Sequence, residues 1–355
     1  MHGSMTIRES MWCSRHCVTG VPWHIVLPNT SRDEIAMCYS AQIEADYRKY
    51  VREFGATLSL EDFTEIFWRR NGNKKIKIPK AMEAVFAESQ GDGEEPVKAA
   101  IEAFTAQETT RLEQALFGQR KRLADADRAL ATKTTKAAAD SKRIATDKID
   151  QAVRRLADLR RTERKDRDSR IFPFYYAPVM VMEQGRLVVK PMRYHCRPAG
   201  QPAFYDTQYP GLFNARRDNL GGFWKNVFGY THGIVAIEAF YENVDRHRVE
   251  GRELSPDEKP ENVILEFKPR PRHDMLVACL WSHWAGKDEP DLLSFAMITD
   301  EPPAEVAAAG HDRCIIPIKR ENVMAWLNPD PAHLDALYAI LDDRERPYYE
   351  HRLAA

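Results

Sequence analysis

Between Val97 and Arg170 the chain has no proline and one glycine, Gly118, in a run dominated by Ala, Arg, Lys, Asp and Glu. Such a stretch commits a large part of the molecule to helix. Leu116, Leu123, Leu130, Ala137 and Ile144 recur every seven residues, but the positions between them are polar (Gln119, Lys133, Asp140). Ile149, Val153, Leu156 and Leu159 come next in a shifted phase. One apolar stripe suits a long helix or a helical hairpin that packs on something else, rather than a full two-stranded zipper. The stretch Thr132 to Thr135, poor in helix formers, predicts the bend. Arg111 to Arg170 carries about eight more positive than negative side chains. That surplus suits contact with phosphates; the alternative is a solvated helical face.

From Ile171 onward the period changes. Pro178 to Met182, Leu187 to Met192, Ile234 to Tyr241, Val263 to Phe267, Met275 to Trp281, Leu293 to Thr299 and Arg313 to Ile318 are short, rich in Val, Ile, Met and aromatics, and separated by turn residues. They predict an α+β fold: a mainly antiparallel, curved or barrel-like sheet, peripheral helices and a long inserted helical arm. Ala41 to Phe54 and Leu60 to Arg70 read as helices ahead of the arm, and Arg320 to Trp326 and Pro331 to Asp342 as helices at the end.

Of 355 residues, 43% are hydrophobic, enough for a real core, and the net charge of −1 hides the basic arm. No apolar run approaches the length of a membrane span, so no membrane partner is expected. The six cysteines, Cys13, Cys17, Cys38, Cys196, Cys279 and Cys314, form no CxxC pair and no zinc spacing, so no metal or cofactor is expected. Val21 to Pro28 is too short and too proline-broken for a signal peptide. A reduced, cytoplasmic setting is the resulting expectation. Cys279 and Cys314 sit in apolar strings and read as buried thiols.

Met37-Cys38 stands apart. Residues 1–36 show no defensible period and read as an extension upstream of a true start at Met37; the alternative is a disordered leader that is made and kept. With translation from Met37, methionine removal would leave Cys38 with an α-amine and a thiol on adjacent atoms. That pair traps aldehydes: the amine condenses to a Schiff base and the thiol closes a thiazolidine.

Three polar strings give Cys38 company. Asn214-Ala215-Arg216-Arg217 offers an amide and two guanidinium forks, read as a loop. In Ile234 to Asn243 an apolar strand runs into Phe240, Tyr241 and Glu242, where partial desolvation would raise a carboxyl into a useful acid or base range. Glu238 competes for that role and ranks second. Gly310-His311-Asp312-Arg313 sets an imidazole just before an apolar strand, with the Asp-Arg pair to orient it. Taken singly, each string reads equally as a surface loop, a strand terminus or a cap.

In order, however, Met37-Cys38, Tyr176-Ala177-Pro178, Pro191-Met192-Arg193-Tyr194, Asn214-Ala215-Arg216, Ala239 to Asn243, Cys279-Leu280-Trp281, Met297-Ile298-Thr299 and His311 to Ile315 resemble the SOS response-associated peptidase (SRAP) family, which processes abasic sites in DNA. The likeness covers Cys38 to about Phe54 and Ile171 to about Leu327. It divides the chain into an upstream 1–36, a catalytic domain of 37–60 plus 171–355, and a helical, basic insertion of 61–170.

The resemblance implies a thiazolidine crosslink between Cys38 and an abasic site in single-stranded DNA, with His311 assisting sugar ring opening, Glu242 moving protons and Asn214 positioning. It implies a second, peptidase-type reaction that would expose Cys38 by removing the residues before it. Arg193, Arg216, Arg217 and Arg313 are the candidate phosphate contacts, and Tyr194 and Trp224 the candidate stacking rings. Where the family has Cys-Gly-Arg this chain has Cys38-Tyr39-Ser40, and Asn243 replaces a tryptophan. The basic insertion is then expected to supply phosphate affinity, self-association or a partner contact. The rival expectation is a noncatalytic nucleic-acid-binding or scaffold protein with a degenerate domain of this kind; another is an ordinary cysteine hydrolase.

Overall fold

The computed structural model describes residues 40–354, apart from 89, 90, 92, 256 and 288. Cys38 and the expected upstream segment 1–36 therefore lie outside the described residues.

In chain order the described strands are β1 (Ser40–Ile43), β2 (Thr57–Leu58), β3 (Arg170–Ile171), β4 (Tyr176–Glu183), β5 (Arg186–Tyr194), β6 (Asn214–Arg216), β7 (His232–Asp245), β8 (Asn262–Arg270), β9 (Met275–Trp284), β10 (Leu292–Asp300), β11 (Cys314–Ile315) and β12 (Tyr348–Leu353). Five of them close a ring. β4 pairs antiparallel with β5 and β7, β7 with β9, and β9 with β10, while β10 returns to β5 in parallel through Ser294↔Arg193. Ring closure removes free edges and makes the sheet the curved, barrel-like one expected, with one parallel seam. β6 also lies parallel to β10, with Met297↔Asn214 and Thr299↔Arg216 in register. The Asn214 string is thus a short strand, not the loop expected.

Strand β7 organises the rest. Its first half pairs with β9, from His232↔Leu280 to Ile237↔Met275, and its second half with β8, from Phe240↔Phe267 to Asp245↔Asn262. On the β1 side, Gln42 faces Ala239 while Ile43 faces Ile237, leaving Glu238 as an extra residue. A bulge of this kind bends a strand, and here it falls where β7 changes partners.

Residues Ala41 to Ile43, expected to begin a helix, form β1 instead. Asp46 takes the N-cap, its side chain accepting from Arg48 N at 3.0 Å, and helix α1 starts only at Tyr47 (Tyr47–Phe54). Two strand neighbours, β3 and β7, override the local helix preference of Ser-Ala-Gln-Ile. Helix α2 (Leu60–Arg70) spans the range read from the sequence, and α3 (Lys80–Glu88) comes after it.

Two long helices, α4 (Glu95–Thr132) and α5 (Lys136–Arg160), form the helical arm as a hairpin. The bend falls at Lys133 to Thr135, where Thr135 caps α5 by accepting from Ala138 N at 3.2 Å. Its seam is mostly alanine: Ala126 of α4 and Ala138, Ala145 and Ala152 of α5 are buried, whereas Leu116, Leu123 and Leu130 are only half-buried beside it. Small side chains let two helix backbones approach closely. The arm begins later than expected. Phe63, Phe67, Met82, Phe86, Val97 and Ala100 all belong to the main core, so residues 61–100 pack with the sheet and only the remainder of the hairpin projects as insertion. Glu94, buried just before α4, accepts from the Tyr47 hydroxyl and ties that helix to α1.

Phe240, fully buried, lies parallel to Phe267 with centroids 5.0 Å apart, holding β7 on β8 one turn of the pleat from Glu242. Phe240→Ala should lower the free energy of unfolding by about 3–5 kcal/mol in urea titration.

Candidate active site

Glu242 occupies β7 opposite Leu265 of β8, and its carboxylate is fully buried. His311 comes from another part of the chain. The helix Ala304–Ala308 ends, and Gly310, at φ 95°, turns the backbone through a conformation that β-carbon-bearing residues rarely adopt. His311 is next, at 2% exposure, and β11 begins three residues on. His311 Nε2 lies 3.0 Å from Glu242 Oε2, with neither side chain exposed.

Proton positions can be assigned from the neighbours. His311 Nδ1 lies 2.8 Å from the Arg313 carbonyl oxygen, which would accept a proton from it, and 3.3 Å from the Arg313 amide N–H, which would donate to it if bare; the shorter contact favours a proton on Nδ1. Nε2 and Oε2 then face each other with lone pairs. The contact has the distance of an ion pair without the alignment of a full hydrogen bond. At 3.0 Å in a dry site two lone-pair atoms repel, so one proton must reside on the pair, on either carboxyl or imidazole. Burial, the largest influence, pushes the His311 pKa below its ordinary value; the Arg313 carbonyl and Asp312 oppose it. A buried acid–base pair that holds one proton can give it up to, or take it from, a reacting group.

Among the described residues, β1 reaches this pair at Ser40, which sits opposite Tyr241, one residue before Glu242. Arg170 of β3 reaches Ser40 Oγ with Nε at 3.1 Å and Nη2 at 2.9 Å, and its guanidinium lies 3.7 Å over the Tyr241 ring. Arg170 was not among the residues expected here. Its only signal in the sequence is position, as the last residue of the basic run before strand texture begins. Tyr241 also brings its hydroxyl to 3.0 Å from Glu266 Oε1 and 3.1 Å from Gln42 Oε1, with a single proton for the two acceptors. Asn214, 6% exposed, holds its Oδ1 3.4 Å from the Tyr194 hydroxyl.

A family model described as SOS response associated peptidase (SRAP) matches residues 131–352. The chain belongs to this family. Solved structures with a similar fold include a protein from Bordetella bronchiseptica (TM-score 0.41, 16% identity, covering 53% of this chain and 87% of that one). Others are a protein from Bacteroides thetaiotaomicron (0.40, 14%, 53% and 78%) and a phage-related protein from Bordetella bronchiseptica (0.39, 18%, 52% and 81%). No curated protein matches. SRAP membership connects the chain to the response to DNA damage; the matched span takes in the second of the two stretches of likeness, while Cys38 to Phe54 precedes it.

Among the SRAP residues expected to touch DNA, several are engaged inside the protein. Arg193 makes a two-pronged pair with Asp206, at 2.8 and 3.0 Å, and Arg197 shares the same carboxylate, which holds Asp206 down at about 2 against the opposing effect of burial. Arg217 pairs with Asp342 at 2.6 Å. Arg313 lies 3.6 Å from Asp312. Arg216 is half exposed and pairs with Asp218 at 2.8 Å, a surface contact that a phosphate can displace at little cost. Tyr194 is 1% exposed, packed on Phe295 and Phe213, and Trp224 is 2% exposed. In this conformation both rings are withdrawn from the surface, and Trp224 meets Phe223 edge-on.

Of the described cysteines, Cys196, Cys279 and Cys314 are all buried, and burial pushes each thiol up, Cys196 to about 12. None of these three suits a thiolate nucleophile. Glu44, Glu238 and Asp274 each bring an oxygen within 4.8 Å of the others, but the Lys49 ammonium pairs with Glu44 and Asp274 and supplies their countercharge. Glu238 thus stands with a separate carboxylate group, half-buried at the bulge, rather than beside His311.

Two buried histidines, His195 and His232, set the acid limb of stability. Burial pushes His195 to about 4 and His232 to about 3, and pushes His311 down. His232 is held neutral by accepting from Gly229 N at 2.9 Å on Nε2 while Nδ1 meets the Trp326 carbonyl at 3.1 Å. Folded pKa values below the unfolded one mean that the unfolded chain takes up protons first as pH falls, so stability is lost below about 6.5. Denaturant titrations between pH 7 and 4 should show His195 and His232 each costing up to about 1.4 kcal/mol per pH unit until its folded pKa is passed.

Proposed function

We propose that this SRAP protein forms a covalent crosslink with abasic sites in single-stranded DNA through Cys38, with Glu242 and His311 as its proton-handling pair. The observation that carries the reading is the buried contact of those two side chains beside the end of β1. Cys38 precedes Ser40 by two residues, a span of at most about 7 Å of chain, and Ser40 sits opposite Tyr241, the neighbour of Glu242.

The reaction balances without a cofactor. The ring-opened sugar presents an aldehyde. The neutral Cys38 α-amine, whose ordinary pKa is about 7.7–8.0, adds to the carbonyl carbon. The resulting alcohol leaves as water after taking a proton, which His311 or Glu242 can supply, and an imine remains. The thiol then adds to the imine carbon while the nitrogen gains a proton, closing the thiazolidine. One water is lost in all. Arg170 fixes a positive charge on Ser40, two residues along the chain from Cys38; a cation close to an α-amine favours its neutral, nucleophilic form. The half-exposed Arg216 is the best-placed of the expected arginines to take up a phosphate.

The amine exists only when everything before Cys38 is gone. Methionine removal does this for a chain begun at Met37. For a longer chain the same Cys38, Glu242 and His311 would serve as nucleophile and proton carriers in self-cleavage, the activity that the family's name records.

The test joins intact-mass measurement of the purified protein to incubation with a single-stranded oligonucleotide carrying one abasic site. A mature mass beginning at Cys38 and a heat-stable adduct equal to protein plus oligonucleotide minus one water are expected. Cys38→Ala should abolish the adduct, and Glu242→Gln or His311→Ala should slow it by roughly 10²–10⁴. A retained leader with no adduct, and only salt-labile binding, would instead favour the noncatalytic nucleic-acid-binding reading.

A further inference from the structure

A second basic feature lies apart from the Glu242–His311 pair, at the root of the helical arm. A cleft of about 1030 Å³ opens between the loop after α2 and the facing sides of α4 and α5, lined by Arg70, Lys74, Arg111 and Arg155. Glu108 is the one carboxylate on its wall, and Arg111 already claims it, with Nε at 2.7 Å. The remaining polar lining is amide and hydroxyl, including Asn73. Three cations remain without a carboxylate of the cleft.

Arg70 is the telling residue. It is 5% exposed, and its guanidinium lies 3.7 Å over Phe104. Glu83 takes Nη1, but Nε and Nη2 have no partner. Leaving two donors of a buried cation unsatisfied is costly, and an anion in the cleft would relieve that cost. Arg70 at the end of α2, Lys74 in the loop after it and Arg155 of α5 line the same space, so one extended anion can meet all three. The volume lies just above the ~300–1,000 Å³ of small-ligand sites, as suits an extended ligand.

We propose that this cleft binds the phosphodiester backbone of single-stranded DNA and gives the arm its purpose: a non-covalent hold on strand outside the crosslinking centre. This rests on reading the chain as a protein of single-stranded DNA, but not on the covalent chemistry. The charge that phosphate affinity needs is thereby concentrated at the arm's base. Farther along the hairpin, charges pair with each other, as Lys142 does with Asp127 at 2.9 Å.

Lys74 and Arg155 are exposed and serve as the test, because their change spares the core. The full chain with Lys74→Gln and Arg155→Gln together is titrated against a fluorescent, undamaged oligothymidylate over a range of salt. Binding roughly tenfold weaker at low salt is expected, with the slope of log K against log salt reduced by about 1.4, or 0.7 per lost phosphate contact. Lys74→Arg with Arg155→Lys should keep both, and thermal midpoints should not move. An unchanged affinity and slope in the doubly neutralised protein overturns the proposal. So does tripolyphosphate binding that the double substitution removes while strand binding stays intact, which would assign the cleft to a small polyanion. Adduct formation at an abasic site is read separately, so a failed cleft and a failed crosslink are told apart: loss of the adduct with intact salt-dependent binding counts against Cys38 chemistry alone.

Discussion

A carboxylate and an imidazole, both withdrawn from water, face each other at 3.0 Å at one end of the sheet. Such a pair cannot exist with two protons or with none at low cost, because either an isolated charge or a lone-pair clash would remain in a dry site. The fold therefore has to supply one proton and hold both groups still. It does so with rigid pieces: Glu242 sits within a strand paired on its far side to β8, and His311 is pinned by its own local turn and the Arg313 carbonyl.

The rest of the architecture serves that placement. Closing β4, β5, β10, β9 and β7 into a ring fixes the first half of β7. The bulge at Glu238 lets its second half leave the ring and accept β8 and β1. β1 in turn brings Ser40 opposite Tyr241, with Arg170 seated on Ser40. A short strand with four residues has little stability alone; β1 is held because both of its edges are paired, to β3 and to β7. The arm attaches through the same core, since Val97 and Ala100 at the start of α4 pack with Phe63 and Phe86.

Much of this was legible in the sequence, and the failures have physical reasons. Short runs of Val, Ile, Met and aromatics located β4, β5, β7, β8, β9 and β10, because those segments bury whole runs of apolar side chains, while the six-residue β12, mostly exposed, was not read as a strand; α2 ran from Leu60 to Arg70 as read. The Thr132 to Thr135 break announced the hairpin. β1 was invisible: Ser-Ala-Gln-Ile has no strand pattern, and only its two neighbours make it one. β6 was invisible for the same reason, being three residues added parallel to β10. The start of the arm was misjudged because residues 61–100 share its helical texture while packing into the main core. Within the site, the strings around Glu242 and His311 could be singled out separately, but their contact depends on a turn at Gly310 that no spacing rule predicts. Tyr194 and Trp224 looked like stacking rings because composition does not say which way an aromatic points. Arg193 looked free because its partner, Asp206, lies in a different segment.

The most direct test of the account is a nitrogen NMR titration of the His311 imidazole in the wild-type protein and in Glu242→Gln. The account predicts a proton fixed on Nδ1 throughout, a midpoint below the ordinary 6.5 or so, and a clear change in Nε2 when Glu242 becomes an amide. A His311 that titrates near its ordinary value, with Nε2 indifferent to the Glu242 substitution, would contradict the shared-proton pair on which the rest is built.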